Sequence, residues 1–280
     1  MLAGPPLRRL LIDADIIAYM ASASTQATYD WGDDVVSTAT DFEAAKTHAA
    51  DAIDNFMAVL DGDELIVCLS DDFNNFRKEV FPAYKGNRKE VERPVHLYDM
   101  KAWLAEKYPV QSRPRLEADD VMGILSTEPH PGEDRIIVSA DKDMQTIPGL
   151  LYRPVGDNPR VRSISLAEAD RFHLWQTITG DAVDGYPGCP GAGPVAADLA
   201  LDHLTAPQSY EHVFKSGPRK GLTETRWKPG TFDTQWEAIV ALYEKAGQSA
   251  KHALIQARCA RILRHGEWDR RPILWSPPTG

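Results

Sequence analysis

The sequence predicts an α/β fold, a parallel β-sheet with flanking helices followed by a helical region. Three observations carry this. Short apolar runs at 7–18, 65–69 and 135–139 each end in acidic residues, segments of helical period lie between them, and from about residue 165 the pattern becomes helical. Strands alternating with helices build a parallel sheet covered by those helices. In such sheets the functional crevice opens at the carboxyl ends of the strands.

The first run, Leu7 to Ala18, reads L-R-R-L-L-I-D-A-D-I-I-A, a buried strand with carboxylates at its end. Thr40-Asp41-Phe42-Glu43 has the pattern of a capping box and opens a helix carrying Phe42, Ala45, Ala49, Ile53, Phe56 and Leu60 on one face. Leu65–Leu69 is the second strand and stops at Ser70-Asp71-Asp72. The stretch from Phe76 to Arg93 is basic, with Arg77, Lys78, Lys85, Arg88, Lys89 and Arg93 against Glu79, Glu90 and Glu92. A helix with Met100, Trp103, Leu104 and Tyr108 on one side follows, and Glu117-Ala118-Asp119-Asp120 opens another. Arg135–Ser139 is the third strand, ending in Ala140-Asp141-Lys142-Asp143.

Ser165 and Glu168 form a second capping box. Gly180 to Ala197 is dense in Gly and Pro and predicts a tight turn between helices, whereas 205–232 is polar and reads as loop. A final helical pair is expected from Gln235 to Lys245 and from Ser249 to Arg264. The expected division is 1–164 for the sheet region and 165–280 for the helical region.

A length of 280 residues at 43% hydrophobic suits one large domain, or one with an appendage, and excludes fibrous and disordered classes. No window approaches the roughly 18–20 uninterrupted apolar residues of a membrane span. The N-terminus lacks the apolar stretch of a signal peptide, so a cytoplasmic protein without a membrane partner is expected. Cys68, Cys189 and Cys259 are widely spaced, which supports neither a disulfide framework nor a zinc cluster. The net charge of −10 argues against nucleic acid on its face, but acidic residues that gather to hold cations make net charge a poor guide.

A single Asp after a strand is ordinarily a turn former or helix cap. Together, Asp13, Asp71 or Asp72, Glu117, Asp119, Asp120, Asp141, Asp143, Asp181 and Asp184 are too many carboxylates to be explained that way. Carboxylates gathered at one sheet edge repel unless cations neutralise them. Hard oxygen ligands without His or Cys select Mg²⁺, with Mn²⁺ as a substitute. A set this large suits two ions roughly 3.5–4 Å apart, the arrangement for in-line phosphodiester cleavage. Gly185–Gly193 lets backbone N–H groups approach a phosphate at Gly191 and Gly193, next to a helix N-terminus at Pro194–Ala197. Tyr84-Lys85-Gly86-Asn87-Arg88-Lys89 supplies cations for a phosphate and an aromatic ring for an unpaired base.

In order along the chain, L-I-D-A-D at 11–15, S-D-D-F-N-N-F-R at 70–77, Y-K-G-N-R at 84–88, E-A-D-D at 117–120, S-A-D-K-D at 139–143 and G-D-A-V-D-G-Y-P-G-C-P-G-A-G-P at 180–194 resemble the flap endonuclease and 5′→3′ exonuclease superfamily, whose nuclease domain is PIN-like. E-A-I-V-A-L-Y-E-K-A-G and Q-A-R-C-A-R-I-L-R nearer the C-terminus look like the replication exonucleases of short-tailed phages. The resemblance implies a first metal site of Asp13, Asp71, Glu117 and Asp119, and a second of Asp120, Asp141, Asp143, Asp181 and Asp184. It implies that Lys85 and Arg88 meet the scissile phosphate and that Tyr84 stacks on the terminal base. It also implies that Gly185–Ala197, with Gly188, Gly191 and Gly193, is a helix–three-turn–helix element binding duplex backbone and, in relatives, a K⁺ ion. Where relatives often carry Lys after the G-x-G-P turn, this chain has Val195, and Pro94 interrupts a short segment between Lys89 and Glu117.

The activity implied is Mg²⁺-dependent 5′→3′ exonuclease and flap endonuclease cleavage of DNA, leaving 5′-phosphates, with a role in phage replication, RNA primers on DNA as further substrates and replisome proteins as partners. The alternatives are a PIN-type ribonuclease, a phosphatase with an aspartyl nucleophile at Asp13-Ala14-Asp15, and a non-catalytic DNA-binding module of the same fold.

Overall fold

The computed structural model describes residues 5–32, 36–87 and 92–278. The chain falls into two compact units. The first takes in Met1–Phe76, Glu90–Ala169 and Ile262–Ile273, and the second Arg77–Lys89, Asp170–Arg261 and Leu274–Gly280. The units do not follow a single cut in the chain, because each takes segments from both halves of it.

The first unit is built on β1 (Leu7–Asp13), β4 (Glu64–Leu69), β5 (Val110–Ser112), β6 (Glu133–Val138), β7 (Gly149–Tyr152) and β8 (Val161–Ile164), in the sheet order β5-β4-β1-β6-β7-β8. All neighbours are parallel except β7 and β8. The register aligns Asp13 with Cys68 and Ile12 with Val138, so the three central strands finish nearly flush. Leu10, Ile12, Val67, Leu69, Ile136 and Val138 form one buried face. Helices α1 (Ala14–Ser24), α2 (Phe42–Val59) and α4 (Leu97–Lys107) cover it through Ile17, Ala45, Ala49, Ile53, Met100 and Leu104. Helix α5 (Ala118–Thr127) packs across β1, β4 and β6. Between α1 and α2 lies an antiparallel hairpin, β2 (Gln26–Asp30) with β3 (Val36–Thr40). A short helix, α3 (Phe76–Val80), follows the loop after β4.

The second unit holds α6 (Leu166–Thr179, from Asp170 onward), α7 (Pro194–Asp202), α8 (Gln235–Lys245), α9 (Ala250–Ala260) and an antiparallel hairpin of β9 (Thr205–Val213) and β10 (Thr223–Thr231). Its core gathers Ile178, Ala197, Leu201, Ile239, Tyr243 and Ala253. Among the described residues, no helix is long and apolar enough to cross a membrane.

Four expectations need correction. The run 7–18 is not one strand, because β1 ends at Asp13 and that side chain caps α1 by accepting from the Ile16 N–H. The cap of α2 is Asp41, which accepts from Ala44 N at 2.9 Å, not Thr40. The polar segment 205–232 is the β9–β10 hairpin, so the second region is not wholly helical. Helix α9 stops at Ala260 instead of Arg264, since Leu263 leaves helical pairing to donate its N–H to Asp120 Oδ1 at 3.0 Å. The capping box of Ser165 and Glu168 and the bounds of α8 are as the sequence predicts.

Candidate functional site

The flush strand ends place their loops on one edge of the first unit. Asp13 is 4% exposed there. Its Oδ1 accepts from Ile16 N at 3.2 Å and its Oδ2 from the Ser139 hydroxyl at 2.7 Å. Ser139 Oγ in turn accepts from Asp141 N, which ties the end of β6 to the end of β1. Burial, with the charge of Asp15 next and that of Asp141 behind it, pushes the Asp13 pKa up to about 7. Asp141 caps a 3₁₀ turn at Lys142–Thr146 by accepting from Asp143 N at 2.8 Å.

Asp71 and Glu117 are locked into backbone. Asp71 Oδ1 accepts from Phe73 N and Asn74 N, and its Oδ2 from Arg115 N at 2.8 Å. Burial works to raise Asp71, but the N–H groups of Arg115, Phe73 and Asn74 outweigh it and hold the carboxyl below the usual range. Glu117 is the N-cap of α5, and Ser70 Oγ accepts from Ala118 N at 2.9 Å, so the loop after β4 positions the start of that helix. Asp119 is half-buried in the first turn of α5. Its charge, with those of Asp13 and Asp15, adds to the burial that raises the Cys68 thiol, so these carboxylates share a neighbourhood around that sulfur.

Asp120 is fully buried. Its Oδ2 accepts from Glu117 N and its Oδ1 from Leu263 N. The sequence also hides a cation at this edge. Lys101 of α4, 8% exposed, lies 2.8 Å from Asp15 Oδ1 and pairs with Asp72. Burial would lower its pKa, but Asp15 and then Asp72 hold it above the ordinary value.

In the second unit, Asp181 is buried and its Oδ1 accepts from Val183 N at 2.7 Å and Asp184 N at 3.2 Å. Asp184 Oδ2 accepts from the Tyr84 hydroxyl at 2.7 Å, and Lys85 Nζ lies 3.5 Å from its Oδ1. Lys85 also donates its backbone N–H to Asp184 O while sitting at φ +52°. This pairs the 84–87 turn with the 181–184 turn.

The family model for the 5′→3′ exonuclease N-terminal, resolvase-like domain matches residues 8–149. An exodeoxyribonuclease of Enterobacteria phage T3 is 32% identical, with 96% of this chain and 92% of the relative covered. The chain belongs to the 5′→3′ exonuclease family. An exonuclease of Escherichia phage T7 is also 32% identical, over 96% of this chain and 93% of that relative. A flap endonuclease of Shewanella pealeana is 28% identical over 62% of this chain and 66% of the relative. The fold matches that of a bacteriophage T5 protein co-crystallised with metal ions, at a TM-score of 0.59 and 15% identity, covering 90% of this chain and 91% of that one.

Within this family member, Asp15 and Asp141 both act on the Asp13 carboxyl, and Asp13, Asp15 and Asp119 all act on the Cys68 thiol. Asp71 and Asp120 sit with both oxygens committed to backbone donors. Asp143 is near Lys142, at 3.9 Å. The donor set consists of hard oxygens, and the buried Asp13 carboxyl has the like charges of Asp15 and Asp141 beside it, which fits a divalent cation. Among the described residues no three His, Cys, Asp or Glu side chains are grouped closely enough to hold an ion as they stand.

Two expected contacts, at Tyr84 and Gly188, take a different form. Tyr84 is 2% exposed and stacks on Tyr186 with centroids 6.3 Å apart, which leaves no open ring face for a base. Gly188 is buried, its N–H goes to Gln256 Oε1, and a Cβ there would meet Gly180 N at 2.3 Å. Arg77, counted with the basic stretch, is buried and donates to Cys259 O and Arg261 O. Gly191 and Gly193 do face open space. Arg88 and Lys89 lie outside the described residues. Sequence reasoning misses Ser139 and Lys101. The first lies inside S-A-D-K-D, and the second shows no signal beyond a lysine in an amphipathic helix.

Proposed function

We infer that this chain is a metal-dependent 5′→3′ exonuclease with flap endonuclease activity on DNA. The observation that carries the reading is the alignment of β1, β4 and β6, whose flush ends bring the loops of Asp13, Asp71 and Asp141 to one edge beside Glu117 and Asp119. The chain covers nearly the whole length of the phage T3 and T7 exonucleases it resembles, which supports assigning the activity to the entire chain.

Two Mg²⁺ ions, replaceable by Mn²⁺, are proposed as the metals. Asp13, Asp71, Glu117 and Asp119 are the carboxylates proposed for one, and Asp141 and Asp143 belong to the other. Asp181 and Asp184 are proposed as metal ligands of the second unit. Asp120 has both oxygens on backbone N–H groups, as Asp71 does, but it is fully buried where Asp71 is half-buried, and its proposed role is to position Glu117 and the segment at Leu263. A bound divalent ion supplies Lewis acidity and a water acidified toward neutral pH. Ser139 holds the Asp13 carboxylate in one orientation. Lys85 is proposed to offset the charge that grows on the phosphoryl oxygens, with Arg88 as its partner. The Gly185–Ala197 element is proposed to hold duplex backbone through Gly191, Gly193 and the N-terminus of α7, and elsewhere in the same element a K⁺ ion. Products carry 5′-phosphates, and RNA paired with DNA is a further proposed substrate.

A product-length time course tests the reading, using 5′-labelled duplex, 3′-labelled duplex and a 5′-flap substrate, each with Mg²⁺ and with EDTA. Metal-dependent release of short 5′-labelled products is expected. A shifted but uncut substrate in every lane would leave a DNA-binding module in place of the nuclease.

A further inference from the structure

The β9–β10 hairpin is long and mostly unbacked. Its ladder pairs Thr205 with Thr231 through Val213 with Thr223, and Phe214 and Leu222 extend it. Nine residues per strand reach about 30 Å. The base is packed, with Ala206 buried in the core beside Ile239 and Leu242. From Gln208 to Thr225, side chains are exposed or half-exposed. A two-stranded ribbon without a third layer is marginal in water, so this length is not explained by stability.

The charge runs against that of the whole chain. Residues 205–231 carry Lys215, Arg219, Lys220, Arg226 and Lys228 against Glu211 and Glu224, in a protein of net charge −10. The cations are arranged. Strand alternation puts Tyr210, Phe214, Arg226 and Lys228 on one face. Arg219 lies 4.1 Å and Arg226 5.3 Å from the Phe214 ring centroid and both pair with Glu224 on that face, at 3.7 and 3.4 Å, while Lys228 lies 5.8 Å from the Tyr210 centroid. Rings that hold cations in place reduce the entropy lost when a partner binds. At the hairpin base a groove of about 510 Å³ is lined by Gly191, Ala196, Trp227, Lys228 and Lys245. The groove joins the base of the ribbon at Lys228 to the open glycine turn at Gly191.

We propose that the β9–β10 hairpin is a cationic arm that lies along the sugar–phosphate backbone of duplex DNA and extends the grip of the Gly191–Ala196 turn. This rests on the nuclease reading above. Its reach of about 30 Å matches roughly nine base pairs at 3.4 Å each. The excess of cations over Glu211 and Glu224 along the arm presents charge without reading sequence, as an enzyme that advances along any duplex requires.

The test uses the full chain carrying Lys215→Glu, Arg219→Glu and Lys220→Glu together, and separately Lys228→Gln. Binding of a fluorescein-labelled duplex is read by anisotropy over a KCl series with Ca²⁺ in place of Mg²⁺, and kcat is read at saturating duplex with Mg²⁺. The triple variant is expected to bind about tenfold or more weakly near physiological salt. Its log Kd–log salt slope is expected to shrink by roughly 0.9 for each phosphate the arm no longer neutralises. Lys228→Gln moves both quantities the same way by less, while kcat stays within about twofold in both variants. Unchanged Kd and salt slope in variants of an enzyme that still cuts would overturn the arm alone. A wild-type chain that binds duplex in a hairpin-dependent way without cutting would overturn the nuclease reading and keep the arm.

Discussion

Lys101 Nζ stands 2.8 Å from Asp15 Oδ1, inside the acidic edge of the sheet. The same ammonium pairs with Asp72, so one helix side chain clamps the loop after β1 to the loop after β4. Removing it leaves two quarter-exposed carboxylates facing each other. Losing one partner of a buried pair costs about 3–5 kcal/mol, and partial exposure of the acids reduces this to roughly 2. Lys101→Met is therefore expected to lower urea-unfolding stability by about that amount. A double-mutant cycle with Asp72→Asn should show that most of the loss is shared between the two sites. Additive losses would mean that the pair does not act as a clamp.

The state of Asp13 ties stability to pH and to metal. Its folded pKa, about 7, lies above the value of an unfolded carboxyl, near 3.9. Between those values the folded chain holds more protons than the unfolded one, so this group makes the metal-free protein less stable as pH rises from about 4 to 7. A divalent cation prefers the ionised carboxylate and reverses the trend. The rise in Tm caused by Mg²⁺ or Mn²⁺ over EDTA should be small near pH 5.5 and grow through about pH 7. A rise in Tm that does not change with pH would remove Asp13 from the cation site.

Asp119 and Asp120 are adjacent in sequence but differ in what their oxygens do. Asp119 is half-buried at the edge, and Asp120 is buried against backbone N–H groups. Asp119→Ala is expected to cut turnover about a thousandfold or more while leaving Tm near wild type and duplex binding within a few-fold. Asp120→Ala strands two buried donors and should lower stability by about 2–4 kcal/mol, with activity falling in proportion to the unfolded fraction. Unfolding curves and single-turnover rates on both variants separate the two roles. Equal stability losses would show that the adjacent acids share one function.

Most of the site frame is legible because it is local. An apolar run followed by acids marks the ends of β1, β4 and β6, and a capping pattern marks the start of α6. What stays hidden depends on distant partners. Lys101 reads as an ordinary helix lysine between Met100 and Leu104 until the fold brings Asp15 and Asp72 to it. Asp120 reads as another ligand because its acceptor role needs Leu263, 143 residues away. The β9–β10 hairpin is masked by Pro207, Pro229 and Gly230, which ordinarily interrupt strands, and by its polarity. Beyond its packed base its two strands meet through ring and cation contacts, Lys228 with Tyr210 and Arg226 with Phe214. Tyr84 reads as a base platform from its place beside Lys85, but its hydroxyl is needed on Asp184 and its ring on Tyr186.

The glycine-rich turn divides into a packed half and an open half, and alanine should tell them apart. At Gly188 a Cβ would lie 2.3 Å from Gly180 N and 2.5 Å from Ile178 O, and φ is +68°. Neither neighbour is a flexible side-chain end, so the two backbone segments must separate. At Gly191 φ is +74° but nothing lies within 4 Å of a Cβ. Gly191→Ala therefore meets only the left-handed penalty, about 1–2 kcal/mol. Gly188→Ala adds overpacking to the same penalty and should cost about 3 kcal/mol or more, with the Gln256 hydrogen bond to its N–H broken. Urea unfolding of the two variants checks the order. Equal losses would mean that the 180–188 contact yields without cost and that the turn is not held by close backbone packing.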